Sequence, residues 1–134
     1  MILVDMNQIS LASMMMHLHM SKSKEIDEKM VRHMILNSLR MYRTRFSSEF
    51  NELVLCYDSR HYWRRDCFPE YKFARRKSRE KSTHDWNAIF LCLNEIKDEF
   101  RANLPYKFLE VYGAEADDII GTICSEYSEE IMII

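Results

Sequence analysis

The sequence predicts an α/β fold of three layers, α/β/α, with a mostly parallel central sheet. Two short apolar runs, 2–5 and 53–58, each end in an aspartate, as strands do when helices cover both faces of a parallel sheet. The helical pattern over 24–46 lies between them and can supply the crossover that parallel strands require. Because 47% of the 134 residues are hydrophobic, we expect one domain with a substantial core over 1–134.

The rest of the chain alternates between helical and strand patterns. The expected elements, by residue number, are helix 9–20, helix 24–46, strand 53–58, a helix opened at 82–85 and stopped at 105, strand 106–111, helix 115–127 and strand 131–134. Ser21 or Ser23 could cap the second helix, and Ser82 and Asp85 have the spacing of a capping box. The sequence stops at the fourth strand, where this architecture usually delivers its next functional residue, so we expect a fold truncated after that strand.

Basic residues are concentrated in one segment, although the formal net charge of the chain is only −2. Between 60 and 81 there are nine basic and three acidic side chains, a net charge of +6 that leaves −8 for the rest. Such segregation indicates a polyanion-binding element on an acidic body. A solvated charged helix is the alternative that composition alone leaves open.

Aromatic rings alternate with the cations of this segment, 59–82, which also contains Pro69. We therefore expect an exposed loop or short helix rather than part of the core. Cations neutralise phosphates, and aromatic rings offer faces on which unpaired bases stack for roughly 1–3 kcal/mol each. The pattern favours single-stranded or frayed nucleic acid as the ligand.

Carboxylates are expected to meet at one edge of the sheet. Asp5 and Asp58 each end an apolar run, and open α/β sheets bind ligands outside the carboxyl ends of their strands. Glu115, Asp117 and Asp118 lie at a predicted helix start after the third strand and should reach the same edge. Clustered oxygen ligands select Mg²⁺ or Mn²⁺, and two such ions can promote phosphodiester hydrolysis. Each acid alone could merely end a strand or cap a helix, so the prediction rests on their combination.

Several other functions have no support in the sequence. The four cysteines include no Cys-x-x-Cys pair, which argues against zinc, and we expect them to be reduced and buried or half-buried. No apolar run approaches the roughly 20 residues that cross a bilayer, and the start lacks the features of a signal peptide, so we expect a cytoplasmic protein without a membrane partner. A glycine-rich phosphate loop and a Gly-x-Ser-x-Gly elbow are both missing.

Taken in order, these residues resemble the phage and bacterial 5′ nucleases related to flap endonucleases, and most closely the branch with ribonuclease H activity in T-even-like phages. The resemblance covers essentially the whole chain. The segments that carry it are 3–5, 30–38, 54–58, 62–66, 71–72 and the Glu-Ala-Asp-Asp of 115–118. That tetrapeptide is weak evidence alone but specific in this order.

The resemblance implies a PIN-like 5′ nuclease N-terminal domain in which carboxylates bind two Mg²⁺ ions, with Mn²⁺ as a substitute. The implied metal ligands are Asp5, Asp58, Glu115, Asp117 and Asp118. Lys72 and Arg75 correspond to cations of a helical arch that contact the scissile phosphate. Further nucleic-acid contacts are expected from Arg64, Arg65, Arg76, Lys77 and Arg79. Family members remove RNA primers and 5′ flaps in phage DNA replication, so the implied substrates are DNA and RNA–DNA duplexes with flaps or nicks.

The family pattern continues where this sequence ends, with a Ser-x-Asp-x-Asp motif, a further metal-binding aspartate and a helix-hairpin-helix element. The resemblance therefore implies that activity needs a complementary C-terminal polypeptide. A single-stranded-DNA-binding protein or a sliding clamp could be a further partner. Two other hypotheses stay open: a non-catalytic domain that holds forked DNA, and a structural subunit whose sheet edge docks a replication protein.

Overall fold

The computed structural model describes residues 1–21 and 25–134. The elements, in chain order, are strand β1 (Ile2–Asp5), helices α1 (Met6–Met20) and α2 (Glu28–Phe46), strand β2 (Leu53–Tyr57), helices α3 (Arg64–Cys67), α4 (Phe73–Glu80) and α5 (Trp86–Asn103), strand β3 (Lys107–Glu110), helix α6 (Ala116–Glu126) and strand β4 (Met132–Ile133). The predicted order of long helices and strands is confirmed. None of the helices in the described part of the chain has the length and apolar character needed to cross a membrane.

The four strands form one parallel sheet in the order β3-β2-β1-β4. Val4 pairs with Leu55 in the centre, and Leu55 pairs in turn with Phe108. Ile2 pairs with Met132 at the other edge. Helices fill the connections between these strands, as parallel pairing requires. The carboxyl ends of β1, β2 and β3 therefore lie side by side at one edge of the sheet.

Alternation along the strands produces two cores, one on each face of the sheet. Ile2 and Val4 point into a large core that also contains buried side chains of α1, α2 and α5. Leu3, which lies between them, points into a smaller core beneath α6, where Ala116 and Ile120 are buried. Because helices cover both faces, the expected α/β/α layering is confirmed.

Aspartates, rather than the predicted serines, cap α2 and α5. The N-cap of α2 is Asp27, whereas Ser21 ends α1 and Ser23 lies outside the described residues. The N-cap of α5 is Asp85, whose carboxylate accepts hydrogen bonds from two N–H groups of the first turn. The expectation that Ser82 opens this helix is therefore wrong. A carboxylate is the better acceptor here because it also interacts favourably with the positive end of the helix dipole.

The basic segment, 59–82, forms the two short helices α3 and α4, and neither contains a buried residue. It is anchored near its start, where Tyr62 forms a parallel bridge with Gly113 and the Trp63 N–H donates to the Gly113 carbonyl at 2.9 Å. Lys72, just before α4, has a φ of 58°, a left-handed conformation that is uncommon for residues other than glycine. The chain therefore turns sharply at one of the residues predicted to contact phosphate.

The cysteines are all free, but only two of them are buried. Cys56 and Cys92 lie in the cores, as expected. Cys67 and Cys124 are exposed, so the prediction that all four are buried or half-buried is wrong for these two. Cys67 lies at the end of α3, a helix that contains no buried residue.

Candidate metal and nucleic-acid site

A cavity of about 830 Å³ opens at the carboxyl edge of the sheet. Four of the five predicted metal ligands line it: Asp5, Asp58, Glu115 and Asp117. They come from the ends of β1 and β2 and from the start of α6, so three distant parts of the chain meet here. The fifth predicted ligand, Asp118, does not line the cavity.

Backbone hydrogen bonds fix Asp5 and Asp58. Asp5 ends β1 and also caps α1, because its Oδ1 accepts from the N–H groups of Asn7 at 3.0 Å and Gln8 at 3.1 Å. The helix therefore begins directly after the strand instead of at the later residue that the pattern predicted. Asp58 Oδ1 accepts from the Ala116 N–H at 2.7 Å, which ties the end of β2 to the start of α6.

The surroundings of Asp5 oppose its negative charge. Burial raises the pKa of this carboxyl, and the charges of Asp58 and Asp117 raise it further, which outweighs the lowering by hydrogen bonds from α1. Asp58 and Asp117 therefore repel Asp5 across the cavity. A cation placed among them would relieve this repulsion.

Glu115 is the centre of a hydrogen-bonded network that joins the basic segment to α6. Its side chain is buried, and its carboxylate accepts from Arg64 Nη1 and the Tyr71 hydroxyl, each at 2.8 Å, and from Lys72 Nζ. Burial alone would raise the pKa of Glu115, but the hydrogen bonds from Lys72 and Tyr71 and the charges of Lys72 and Arg64 hold it below its usual range. Two predicted phosphate-binding cations therefore point towards Glu115.

Asp118 and Arg64 form a bidentate ion pair. Arg64 Nη2 donates to Oδ1 at 2.6 Å, and Nη1 donates to Oδ2 at 2.7 Å. The same Oδ2 accepts from the Glu115 N–H at 2.9 Å, as part of a capping box that begins α6. The hydrogen bonds from Arg64 hold the pKa of Asp118 below its usual range. Asp118 thus stabilises the helix start and the position of Arg64.

Basic side chains form another part of the cavity lining, which we call the basic wall. The predicted nucleic-acid-binding residues that line it are Arg65, Lys72, Arg75, Arg76 and Arg79. Arg64 and Lys77 do not line it. The Arg79 guanidinium lies over the rings of Trp86 and Phe90, at 5.0 and 4.9 Å from their centroids, and so ties α4 to α5.

Sequence reasoning missed two further cations of this cavity, Lys97 and Arg60. Lys97 is on α5, is only 13% exposed, and donates to Glu110 Oε1 at 2.9 Å. Its position on the apolar stripe between Leu93 and Phe100 was a usable signal, because a charged residue on the buried side of a helix usually has a partner. Nothing in the sequence distinguishes Arg60 from the other cations of the basic segment.

The donor atoms suit a hard divalent cation. Carboxylates line the cavity, and the described residues add no histidine or cysteine to it. Asp5, Asp58 and Asp117 would hold such an ion, because Glu115 and Asp118 already pair with cations. Within 1–21 and 25–134, however, no three histidine, cysteine or acidic side chains are grouped closely enough to hold a metal. The chemical type of the donor atoms therefore suits a divalent cation. In this conformation, however, fewer than three of these side chains are close enough together to bind the same ion.

A parallel α/β domain with carboxylates and cations at one edge of its sheet is the arrangement expected of a nuclease. The family described as "5′-3′ exonuclease, N-terminal resolvase-like domain" matches residues 1–134. The chain therefore belongs to this family of 5′-3′ exonucleases and corresponds to its N-terminal domain.

Known relatives agree with this membership. The ribonuclease H of Enterobacteria phage T4 is 35% identical over 131 residues, which are 96% of this chain and 42% of that protein. The T5 5′-exonuclease with bound divalent metal ions (zinc) matches with a TM-score of 0.65 and 19% identity, over 99% of this chain and 47% of that one. The bacteriophage T5 flap endonuclease in a complex with DNA and metal ions matches with a TM-score of 0.66 and 18% identity, over 98% and 47%. The expected PIN-like 5′ nuclease fold is confirmed, and the chain spans less than half the length of each relative.

Proposed function

We propose that this chain is the N-terminal part of a Mg²⁺-dependent 5′-3′ nuclease that removes RNA primers and 5′ flaps during DNA replication. The observation that carries the proposal is the meeting of carboxylates from the ends of β1 and β2 and the start of α6 in one cavity that is also lined by cations of the basic segment. The relatives support it, since one is a ribonuclease H and the T5 structures contain divalent metal ions and, in one case, DNA.

Asp5, Asp58 and Asp117 are the metal ligands in this proposal. When bound, divalent ions supply an activated water and stabilise the leaving oxygen of the phosphodiester. The raised pKa of Asp5 supports the assignment, because burial first and then the charges of Asp58 and Asp117 disfavour its ionised form, and a bound cation would offset both effects. Glu115 and Asp118 contribute indirectly, by fixing the cations of the basic segment beside the ions.

Lys72 and Arg75 orient the scissile phosphate in this proposal. Both line the cavity together with Asp5, Asp58 and Asp117. Lys72 donates one hydrogen bond to Glu115, and an ammonium group has two more hydrogens to offer to a phosphate. Arg65, Arg76 and Arg79 extend the basic wall and would neutralise neighbouring phosphates, so binding should weaken steeply as salt increases.

The test is cleavage of a 5′-labelled flap substrate in Mg²⁺. The chain is assayed alone and mixed with a polypeptide that corresponds to the remaining part of its phage T4 relative. We expect the mixture to cut, and Asp58→Ala to reduce the rate at least roughly 100-fold, since it removes a metal ligand. Asp98→Ala is the matched control, because Asp98 is an exposed acid of α5 that does not line the cavity. Undiminished cleavage by Asp58→Ala would sink the site assignment.

A second candidate function is binding of forked DNA without cleavage. It is favoured by one observation, that no three potential ligands within the described residues are grouped to hold a metal. Salt-sensitive binding of forked DNA, with no Mg²⁺-dependent cutting after the complementary polypeptide is added, would support this function over the first.

A further inference from the structure

The amide of Asn7 is a feature of the cavity that neither the metal ligands nor the basic wall accounts for. Its Nδ2 is buried and unpartnered, and no other buried side-chain nitrogen or oxygen within 1–21 and 25–134 lacks a partner. Asn7 lines the cavity two residues after Asp5, at the second position of α1. Because a buried donor without an acceptor lowers stability, the presence of this amide needs a reason other than stability.

The start of α5 shows that the start of a helix does not require this burial. Residues 85–87 repeat the order Asp-x-Asn of residues 5–7. In both helices the aspartate is the N-cap, and its Oδ1 accepts from the asparagine N–H at 3.0 Å. Asn87, however, is exposed and does not line the cavity, so water can pair with its amide. Capping therefore explains the backbone of Asn7 but not the position of its amide.

A ligand that brings an acceptor oxygen would satisfy this amide. Oδ1 of Asn7 has no partner among the described residues and is not buried. A half-turn about χ2, which is a soft torsion in asparagine, exchanges Nδ2 with Oδ1 and gives the donor the accessible position. The cations of the basic wall attract anionic ligands into the same cavity. The oxygens of a nucleic-acid backbone are acceptors that such a ligand carries.

We propose that Asn7 positions the substrate by donating a hydrogen bond from its amide to an oxygen of the sugar-phosphate backbone of the strand that is cut. This oxygen belongs to a phosphate or to the 2′-hydroxyl of a ribonucleotide, since both accept from an amide N–H. The contact adds no charge beside the carboxylates, because asparagine is neutral. This inference rests on the proposed nuclease function and assigns to it a residue that holds substrate rather than metal.

Binding of matched flap substrates tests this contact. The full chain is titrated, in Ca²⁺ to prevent cutting, against a fluorescent 5′-flap duplex made of DNA. A second substrate has ribonucleotides next to the junction, and a further series has one uncharged methylphosphonate at each phosphate there in turn. If the oxygen is a phosphate oxygen, Asn7→Ala should weaken binding of the DNA flap roughly 10-fold or more, and one methylphosphonate should abolish the difference from the wild type. If it is a 2′-hydroxyl, only the ribonucleotide flap should weaken, roughly 2- to 10-fold.

Asn87→Ala is the matched control, because it removes the same amide from the same position of a helix outside the cavity. We expect it to change no affinity by more than about 2-fold. Unchanged binding of every flap by Asn7→Ala would overturn the contact, and so would an equal loss on every flap of the series. In both cases the wild type still binds flaps, and the proposed function stands. A wild type that binds no flap would overturn both.

Thermal unfolding separates this contact from a role in the fold or in metal binding. Asn7→Ala should melt no lower than the wild type, because Nδ2 has no partner in the described fold. The rise in melting temperature caused by Mg²⁺ should be the same in both proteins. A lower melting temperature would assign Asn7 to the fold, and a smaller response to Mg²⁺ would assign it to the metal site. Either result would overturn the inference.

Discussion

Two groups of carboxylates at the same edge of the sheet have opposite surroundings. The paired carboxylates, Glu115 and Asp118, accept hydrogen bonds from cations of the basic segment, and their pKa values lie below the usual range. The open carboxylates, Asp5, Asp58 and Asp117, form no ion pair with any described residue, and the pKa of Asp5 is raised. The protein itself pairs the first group with cations, whereas the second group has no ion pair within the described residues.

The two groups of carboxylates therefore have different roles at the same edge of the sheet. The paired carboxylates fasten the basic segment to α6, so they determine where its cations lie. The charge of Asp5 costs stability, because its pKa is raised, and such a cost is typical of groups kept for binding or catalysis. Substitutions in the first group should therefore destabilise the fold, and a substitution in the second that keeps the oxygen accepting the backbone hydrogen bonds should not.

The largest expected effect on stability is that of Glu115→Ala. It leaves Lys72 and Arg64 without their buried partner, and we expect a loss of roughly 3 kcal/mol in the free energy of unfolding, measured in urea. Glu99→Ala is the control, since Glu99 pairs with Arg32 at 2.6 Å but is 43% exposed, and should lose less than about 1 kcal/mol. Similar losses in the two variants would contradict the claim that the buried network of Glu115 stabilises the fold more than an exposed ion pair does.

Acid should remove the contribution of the paired carboxylates. Their pKa values in the folded state lie below the ordinary 4.5 of Glu115 and 3.8 of Asp118, so folding is favoured by their ionised forms. This contribution is fully present above the ordinary values and is lost as the pH falls through the folded-state values. The difference in unfolding free energy between wild type and Glu115→Ala should therefore shrink as the pH falls from 7 to below 4.5. If this difference in unfolding free energy stays constant with pH, it does not come from the charge of Glu115.

Arg64→Lys should have a smaller effect, because it keeps the positive charge but loses the planar fork. The fork donates to both oxygens of Asp118 and also to Glu115, and replacing it should cost about 1.5 kcal/mol. Arg101→Lys is the matched control, since Arg101 is 49% exposed and pairs with Glu110 at the surface. If Arg64→Lys and Arg101→Lys lose the same free energy of unfolding, the bidentate pairing of Arg64 with Asp118 does not contribute to stability.

The sequence alone was sufficient to predict the strands and the edge of the sheet at which the open carboxylates lie. Both depend on local patterns, since an apolar run that ends in aspartate places Asp5 or Asp58 at the carboxyl end of a strand. The pairing of Arg64 with Asp118 joins residues 54 positions apart and depends on how α3 folds back onto α6. No local sequence pattern predicts that α3 folds back onto α6. Helix starts were missed for a related reason, because neighbouring serines and aspartates can all cap and packing decides among them.

The smallest expected effect has the opposite sign and tests the open group directly. The pKa of Asp5 is raised in the folded state, so its ionised form disfavours folding as the pH rises through that value. Asp5→Asn removes the charge but keeps an oxygen to cap α1, and should add roughly 0.5–1 kcal/mol at neutral pH, a gain that disappears in acid. Asp27→Asn, at the exposed N-cap of α2, is the control, and its free energy of unfolding should change little.

Mg²⁺ should raise the melting temperature of the wild type more than that of Asp5→Asn, because only the wild type has all three open carboxylates to bind it. A destabilised Asp5→Asn that still responds fully to Mg²⁺ would place Asp5 among the structural caps instead.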